Sequence, residues 1–254
     1  MAKKTNRMGE RNIMKCGYWC EIVEYKDANN ITVQFDESKY ITNTSYRTFK
    51  NGRVEDKLQP TVYGKGITGN VKTSDKTGKH TKPYARWMSM MSRCYGKQEG
   101  KDKSYVDCNV CDEWLYYPNF KKWYEDNYYE IDNETMCLDK DILIKGNRTY
   151  SPEACIFVPN TINLTFTKAS KSRGDFPIGV SKKANGGYRA NIYETINGKR
   201  KQKQLGTFIT PEDAFNSYKL AKEQQIKELA DKYKSKIPQR LYNAMYEYKV
   251  EIND

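Results

Sequence analysis

Along this chain the spacing of apolar residues changes several times. Between residues 13 and 66 the period is two. Tyr18–Tyr25 leads into the turn-rich run Lys26–Asn30, after which Ile31, Val33 and Phe35 alternate with Thr32, Gln34 and Asp36. Alternate residues of a strand share a face, so this pattern predicts a hairpin with one buried side. Tyr46 to Val54, with Asn51-Gly52 inside it, predicts a further strand and turn. Together, residues 13–68 predict a small β-barrel-like domain. Residues 69–83 are rich in Gly, Lys and Thr and predict a linker. Spacings of three and four then appear. Trp87, Met88, Met91 and Tyr95 predict a helix over 84–95, and Phe120, Trp123 and Tyr124 a second over 117–128, with Pro118 in its first turn.

Leu138–Ile144 has the composition of a strand, and Lys145-Gly146-Asn147 that of a turn. Ser151 and Pro152 suit the cap and first position of a short helical segment leading through Cys155, Phe157 and Val158. From residue 173 the period returns to two. Strands are predicted at 178–181, 188–193 and 201–206, with turns at Gly186-Gly187 and Asn197-Gly198. Thr210, Pro211 and Asp213 then open a helix that turns Ala214, Phe215, Tyr218, Leu220 and Ala221 toward the sheet and runs through Leu229. Pro238 precedes a last helix over about 239–250. The expected class is therefore α+β. It comprises a β-rich domain at 13–68, a linker at 69–83, an α+β core at 84–168, a three-stranded antiparallel sheet on a helix at 173–234, and a terminal helix at 236–252.

Composition narrows what this fold can do. The chain has 254 residues, 37% of them hydrophobic, which favours several small cores over one large one. Its 21 Tyr and 4 Trp supply more aromatic surface than a disordered chain carries. The net charge of +12 favours polyanionic partners: DNA, RNA or an anionic surface. No run of 18 apolar residues is present, so no membrane span or membrane partner is expected. The first twelve residues lack the apolar stretch of a signal peptide, which predicts a cytoplasmic protein. Seven cysteines, an odd number, argue against a disulfide framework. Cys108 and Cys111 have metal-like spacing, but a zinc site needs two more ligands, and the alternation of Val106, Cys108 and Val110 sets the two thiols on opposite faces. They are read as small hydrophobes, with no metal site. His80, the one histidine, lies among Lys and Thr and reads as a loop residue.

The basic excess is clustered. Lys168, Lys171, Arg173, Lys182, Lys183, Arg189, Lys199, Arg200, Lys201 and Lys203 face only Asp175 and Glu194 over that span, a local excess of about +8. In the second of the three strands, Arg189, Asn191 and Tyr193 point one way, and Tyr188, Ala190 and Ile192 point toward the helix. One face thus offers an arginine, an amide and an aromatic ring, flanked by lysines. Arg and Asn read base edges and lysines neutralise phosphates.

Two resemblances attach to these residues. Ile178-Gly179-Val180, Tyr188-Arg189-Ala190, Leu205-Gly206-Thr207-Phe208 and Thr210-Pro211-Glu212-Asp213-Ala214 resemble the Apetala-two-type DNA-binding domain, over about 55 residues. That resemblance implies a three-stranded sheet inserted in the DNA major groove, with Arg189, Asn191, Tyr193 and the stretch 199–204 as contact candidates. The basic cluster adds Arg173, Lys182 and Lys183 to Lys199, Arg200, Lys201 and Lys203 as nucleic-acid-binding candidates. Leu138-Asp139-Lys140-Asp141, Gly146-Asn147 and Tyr150–Val158 resemble the core of phage HNH homing endonucleases, which often carry such a module. By that resemblance Asp139, Lys140, Asp141 and Asn147 occupy catalytic positions. Lys140 stands where the general-base histidine would be, and Ala154 replaces the final asparagine of the metal-binding run. A lysine protonated at neutral pH does not take the proton of water.

The leading expectation is a phage or mobile-element nucleic-acid-binding protein with an inactive HNH-like core and no cofactor, acting in the cytoplasm of the bacterial host. DNA is favoured by the resemblance, and RNA also satisfies the charge. A second reading is an active homing-type endonuclease, with Mg²⁺ held by Asp139 and Asp141. A third is a phage counter-defence or regulatory protein that binds host defence or nuclease proteins, with or without RNA.

Overall fold

A computed structural model describes residues 6–96, 105–167, 176–184, 186–196 and 199–252. The class is α+β, with seven helices and two principal antiparallel sheets among the described residues. The chain divides into two compact units, 1–126 with 149–151, and 127–148 with 152–254. Residues 84–168, expected as one core, are thus shared between the two.

The first unit opens with strands β1 (Arg11–Ile13), β2 (Trp19–Asp27), β3 (Asn30–Phe35) and β4 (Ile41–Thr44), each antiparallel to the next. The alternation in β3 works as expected: Ile31, Val33 and Phe35 are buried with Cys20 and Ile22 of β2. No closed barrel forms among the described residues, because the sheet runs in the order β1-β2-β3-β4 with β1 and β4 as its edges. What covers its apolar side is helix α1 (Tyr46–Lys50), in place of the strand expected at Tyr46–Val54. The Ser45 hydroxyl accepts a hydrogen bond from the Thr48 amide at 3.2 Å, and Phe49 is fully buried. Gly52, at φ +64°, ends this helix where a hairpin turn was expected. Both structures require a residue with positive φ, so the sequence signal is the same.

Residues 69–83, expected as a linker, hold a hydrogen-bonded turn. Ser74 bridges to His80, and the Asp75 carboxylate accepts from the amides of Thr77 and Lys79. Helix α2 (Lys82–Tyr95) buries Tyr84, Trp87, Met90, Met91 and Cys94. Short strand β5 (Asn109–Val110), helix α3 (Asp112–Leu115) and helix α4 (Tyr117–Asn127) follow. The core here is aromatic: Trp87 donates to the Trp114 carbonyl at 2.7 Å, and Tyr84, Tyr117, Phe120 and Trp123 stack around the pair.

In the second unit, β6 (Met136–Asp139) pairs antiparallel with β8 (Ile156–Pro159), while β7 (Thr149–Tyr150) pairs with β5 in the first unit. The strand expected to reach Ile144 stops at Asp139. Pro152–Ala154, expected as the start of a helix, is a turn, and the segment after it is β8. Helix α5 (Asn160–Thr165) starts only after the strand. The β-branched Ile156 and Val158 are buried there, which suits a strand better than a helix.

Strands β9 (Val180–Lys182), β10 (Tyr188–Ile196) and β11 (Lys199–Phe208) form the three-stranded antiparallel sheet, with β10 in the middle. The turn expected at Asn197-Gly198 lies outside the described residues. Helix α6 (Pro211–Tyr233) backs the sheet. Thr210 caps it, its hydroxyl accepting from the Asp213 amide at 3.1 Å and donating to the Asp213 carboxylate at 2.7 Å. Ala214, Phe215 and Tyr218 are buried against Val180, Ala190 and Ile192. Leu220, expected on that face, is 70% exposed, being off the stripe that Ala214, Tyr218 and Ala221 define. The second half of α6, with Ile226, Ala230 and Tyr233, builds another core with Ile142, Ile156, Val158 and Ile162, closed by Leu241 and Met245 of α7 (Gln239–Glu247). Each fully buried aliphatic side chain contributes roughly 1.5–3 kcal/mol. One long helix thereby anchors both the three-stranded sheet and the β6–β8 pair. No helix among the described residues is long and apolar enough to cross a membrane.

Candidate nucleic-acid interface

The outer face of the C-terminal sheet is set by pairing register. In an antiparallel sheet, directly opposed residues share a face. Tyr188 pairs with Phe208, Arg189 with Thr207, Ala190 with Gly206, and Arg189 also with Ser181 of β9. After Ala190 the register shifts: Asn191 opposes Gln204, so Leu205 is one extra residue in β11. This is a β-bulge, and it reverses the parity of everything before it on that strand. Tyr193 then opposes Gln202, while Ile192 opposes Lys203 and Glu194 opposes Lys201.

Ala190 and Ile192 are buried against α6, as the sequence predicts, and Arg189, Asn191 and Tyr193 lie on the other side. The flanking lysines do not. Lys203 and Lys201 take the helix-side register, where Lys203 Nζ is 2.9 Å from the Glu194 carboxylate. Lys182 opposes Tyr188 and shares its side. Lys183 sits in the β9–β10 turn, its amide donating to the Gly187 carbonyl. Lys199 and Arg200 belong to β11 by backbone, opposite Ile196 and Thr195. Their side chains, and the whole of Lys168, Lys171 and Arg173, lie outside the described residues. In place of lysines the outer face carries Gln202 and Gln204, both exposed and both within the 199–204 stretch expected to make contacts.

The face is therefore Ser181, Arg189, Asn191, Tyr193, Gln202, Gln204 and Thr207. None of these is a carboxylate. The Asn191 amide donates to the Ser181 hydroxyl at 3.2 Å, which orients it. Tyr193 is 47% exposed. Arg189 has no carboxylate partner among the described residues, and its Nε is buried with no acceptor. An unmet donor on a guanidinium is expensive to leave in a fold, and no described carboxylate offsets that cost here. Gly179 holds the sheet close to the helix. It has φ +78°, and a Cβ there would lie 2.1 Å from the Tyr218 ring.

The residues matched to a nuclease core form a different kind of place. Asp139, at the end of β6, uses Oδ1 to accept from the amides of Asp141 and Ile142, at 2.9 and 2.8 Å. Asn147 donates to the Lys140 carbonyl at 2.6 Å and fastens the loop across its base. Lys140 is buried, with Nζ 3.2 Å from Asp141 Oδ2. Burial, and then the charge of Asp141, push the Asp139 carboxyl up to about 6. These residues do not fit Mg²⁺ as arranged, since an ammonium already occupies one carboxylate and backbone amides engage the other. Among the described residues no three His, Cys, Asp or Glu side chains are grouped to hold a metal ion. His80 belongs to the other unit, with its ring edge-on to Tyr84 at 4.9 Å. None of the seven cysteines forms a disulfide among the described residues; Cys108 is buried and Cys111 half-buried.

Compared with family models, with curated proteins and with solved structures, the chain matches none.

Proposed function

We propose that this chain is a nucleic-acid-binding protein of the phage or mobile-element kind that grips its target with the outer face of β9, β10 and β11. The observation that carries this reading is a carboxylate-free sheet face with an unpaired Arg189 at its centre, bordered by exposed Tyr193 and the amides of Asn191, Gln202 and Gln204. Lys182, Lys201 and Lys203 take the other register but stand on the two edge strands β9 and β11, from which long side chains would supply phosphate contacts at the flanks of the face. The β6–β8 segment with its Asp139–Asn147 loop supports binding as an HNH-like scaffold. Its carboxylates are spent on backbone amides and on Lys140, so this reading calls for no Mg²⁺ and assigns no strand cleavage. Duplex DNA is the favoured partner, because a β-ribbon fits the major groove of B-DNA.

The test is a salt titration of binding to a labelled DNA duplex by fluorescence anisotropy. Contacts to about six phosphates lower affinity by roughly 10³ between 50 and 200 mM salt. No measurable binding at 50 mM, or a flat titration, would contradict the reading.

A further inference from the structure

The outer face also carries information about which bases it prefers. We infer that it reads adenine–thymine pairs in the major groove of duplex DNA, with Asn191, Gln202 and Gln204 as the reading amides. The inference rests on the nucleic-acid-binding reading above and narrows it to a target chemistry.

The bulge at Leu205 sets the register of these amides. Were Leu205 paired opposite Asn191 in regular register, Lys201 and Lys203 would share the face of Thr207, and Gln202 and Gln204 would turn toward the helix. With the bulge, three primary amides stand on two neighbouring strands, Asn191 directly opposite Gln204. Opposed side chains on one face have Cβ atoms about 4.5–5.5 Å apart, and outward positions along a strand repeat at about 6.8 Å. That second distance matches roughly two base-pair steps at 3.4 Å each, so Arg189, Asn191 and Tyr193 span about four steps.

The side-chain types then choose the base. An amide gives adenine both hydrogen bonds that its major-groove edge asks for, donating to N7 and accepting from the N6 amino group. Asn191 uses one Nδ2 proton on Ser181 and keeps a second proton and its carbonyl oxygen for a base. Guanine calls for Arg or Lys, and Arg189 is the one such group among the described side chains of the face. Cytosine calls for a carboxylate acceptor, and the face has none. Tyr193 and the methyl group of Thr207 supply apolar contact for the thymine C5-methyl. A-form RNA hides these edges in a deep, narrow groove, so the same face does not read duplex RNA.

The experiment uses the full chain and four labelled duplexes of equal length. They are a mixed-order A·T-rich DNA, a G·C-rich DNA, the A·T-rich DNA with 7-deazaadenine, and an A·U-rich RNA. The expected result is at least about tenfold tighter binding to the A·T-rich DNA than to the G·C-rich DNA. That preference should fall when N7 is replaced by carbon, and fall again in Gln204→Ala and Gln202→Ala, both exposed positions. Equal affinity for the two DNAs, a G·C preference, or an A·T preference untouched by 7-deazaadenine overturns the inference and leaves the nucleic-acid-binding reading standing. Tighter binding to the RNA also overturns it. Failure to bind any of the four overturns both. Because the 7-deaza change is made in the DNA, the result does not depend on a variant folding.

Discussion

The two principal sheets of this protein share a plan and differ in what they expose. Each is antiparallel, with one side packed under a helix and the other turned outward. On the N-terminal sheet the outward charges satisfy one another. Arg11 lies on Asp36 and within 4.0 Å of Glu21, Lys26 is 3.7 Å from Glu24, and the Thr32 hydroxyl bonds Glu24. On the C-terminal sheet the described side chains of the outward face include one arginine and no acid to meet it. Architecture alone therefore does not distinguish the proposed binding face. Charge left without a partner is what distinguishes it, because neutralising such a group internally stabilises a protein with nothing to bind.

The strongest way to break this contrast is to loosen the C-terminal sheet. Gly179→Ala forces a side chain into positive φ and against the Tyr218 ring. A loss of about 2–4 kcal/mol of stability is expected, read as a lower midpoint in thermal or urea unfolding. An unchanged midpoint would mean that the sheet does not lie on α6 as described.

Deleting Leu205 removes the bulge and spares the face. Gly206 stays opposite Ala190, Gln204 opposite Asn191 and Gln202 opposite Tyr193, so the three amides keep the outer side. The loss of a half-buried side chain costs about 1–2 kcal/mol of stability, and the preference for A·T-rich DNA should survive it. Loss of that preference in a folded deletion variant would mean that the amides in this register are not its source.

This bulge also shows where sequence reading stopped. Period two in Tyr188–Tyr193 placed Arg189, Asn191 and Tyr193 on the outer face, and the capping pattern of Thr210 and Asp213 placed the helix. Both signals are local. A one-residue register shift depends on how Leu205 packs under its neighbours, so nothing in the order of residues announces it, and lysines were expected where glutamines stand. The same limit hid α1, since Asn51-Gly52 serves a helix end as well as a hairpin. It also hid β8, where Ser151-Pro152 suggested a helix that in fact begins after Pro159. In the Asp139–Asn147 loop the residue types were legible, but their use was not. Lys140 could have been exposed, and its burial against Asp141 comes from the core that α6 and α7 build around Ile142.

A smaller effect sharpens the contrast from the N-terminal side. Glu10 is partly buried, which works to raise its pKa, yet hydrogen bonds from Tyr46, Arg7 and Lys50 outweigh burial and hold it below the usual carboxylate range. A depressed carboxylate stabilises the fold above its unfolded-state pKa, and that stabilisation is lost as pH falls through the folded-state value. Glu10→Gln should therefore cost about 1 kcal/mol at pH 7 and less below pH 4, measured by urea unfolding across pH. An equal cost at both pH values would remove charge from the explanation.

The central claim is that an arginine left unpaired marks the binding face, and one paired comparison tests it. Arg189→Ala and Arg11→Ala each delete an outward arginine from a sheet, the first unpaired and the second held by Asp36 and Glu21. Affinity for an A·T-rich DNA duplex at 50 mM salt should weaken by about 1–3 kcal/mol for Arg189→Ala and by less than about 0.5 kcal/mol for Arg11→Ala, with both variants folded by circular dichroism. Equal losses, or a loss confined to Arg11→Ala, would contradict the account.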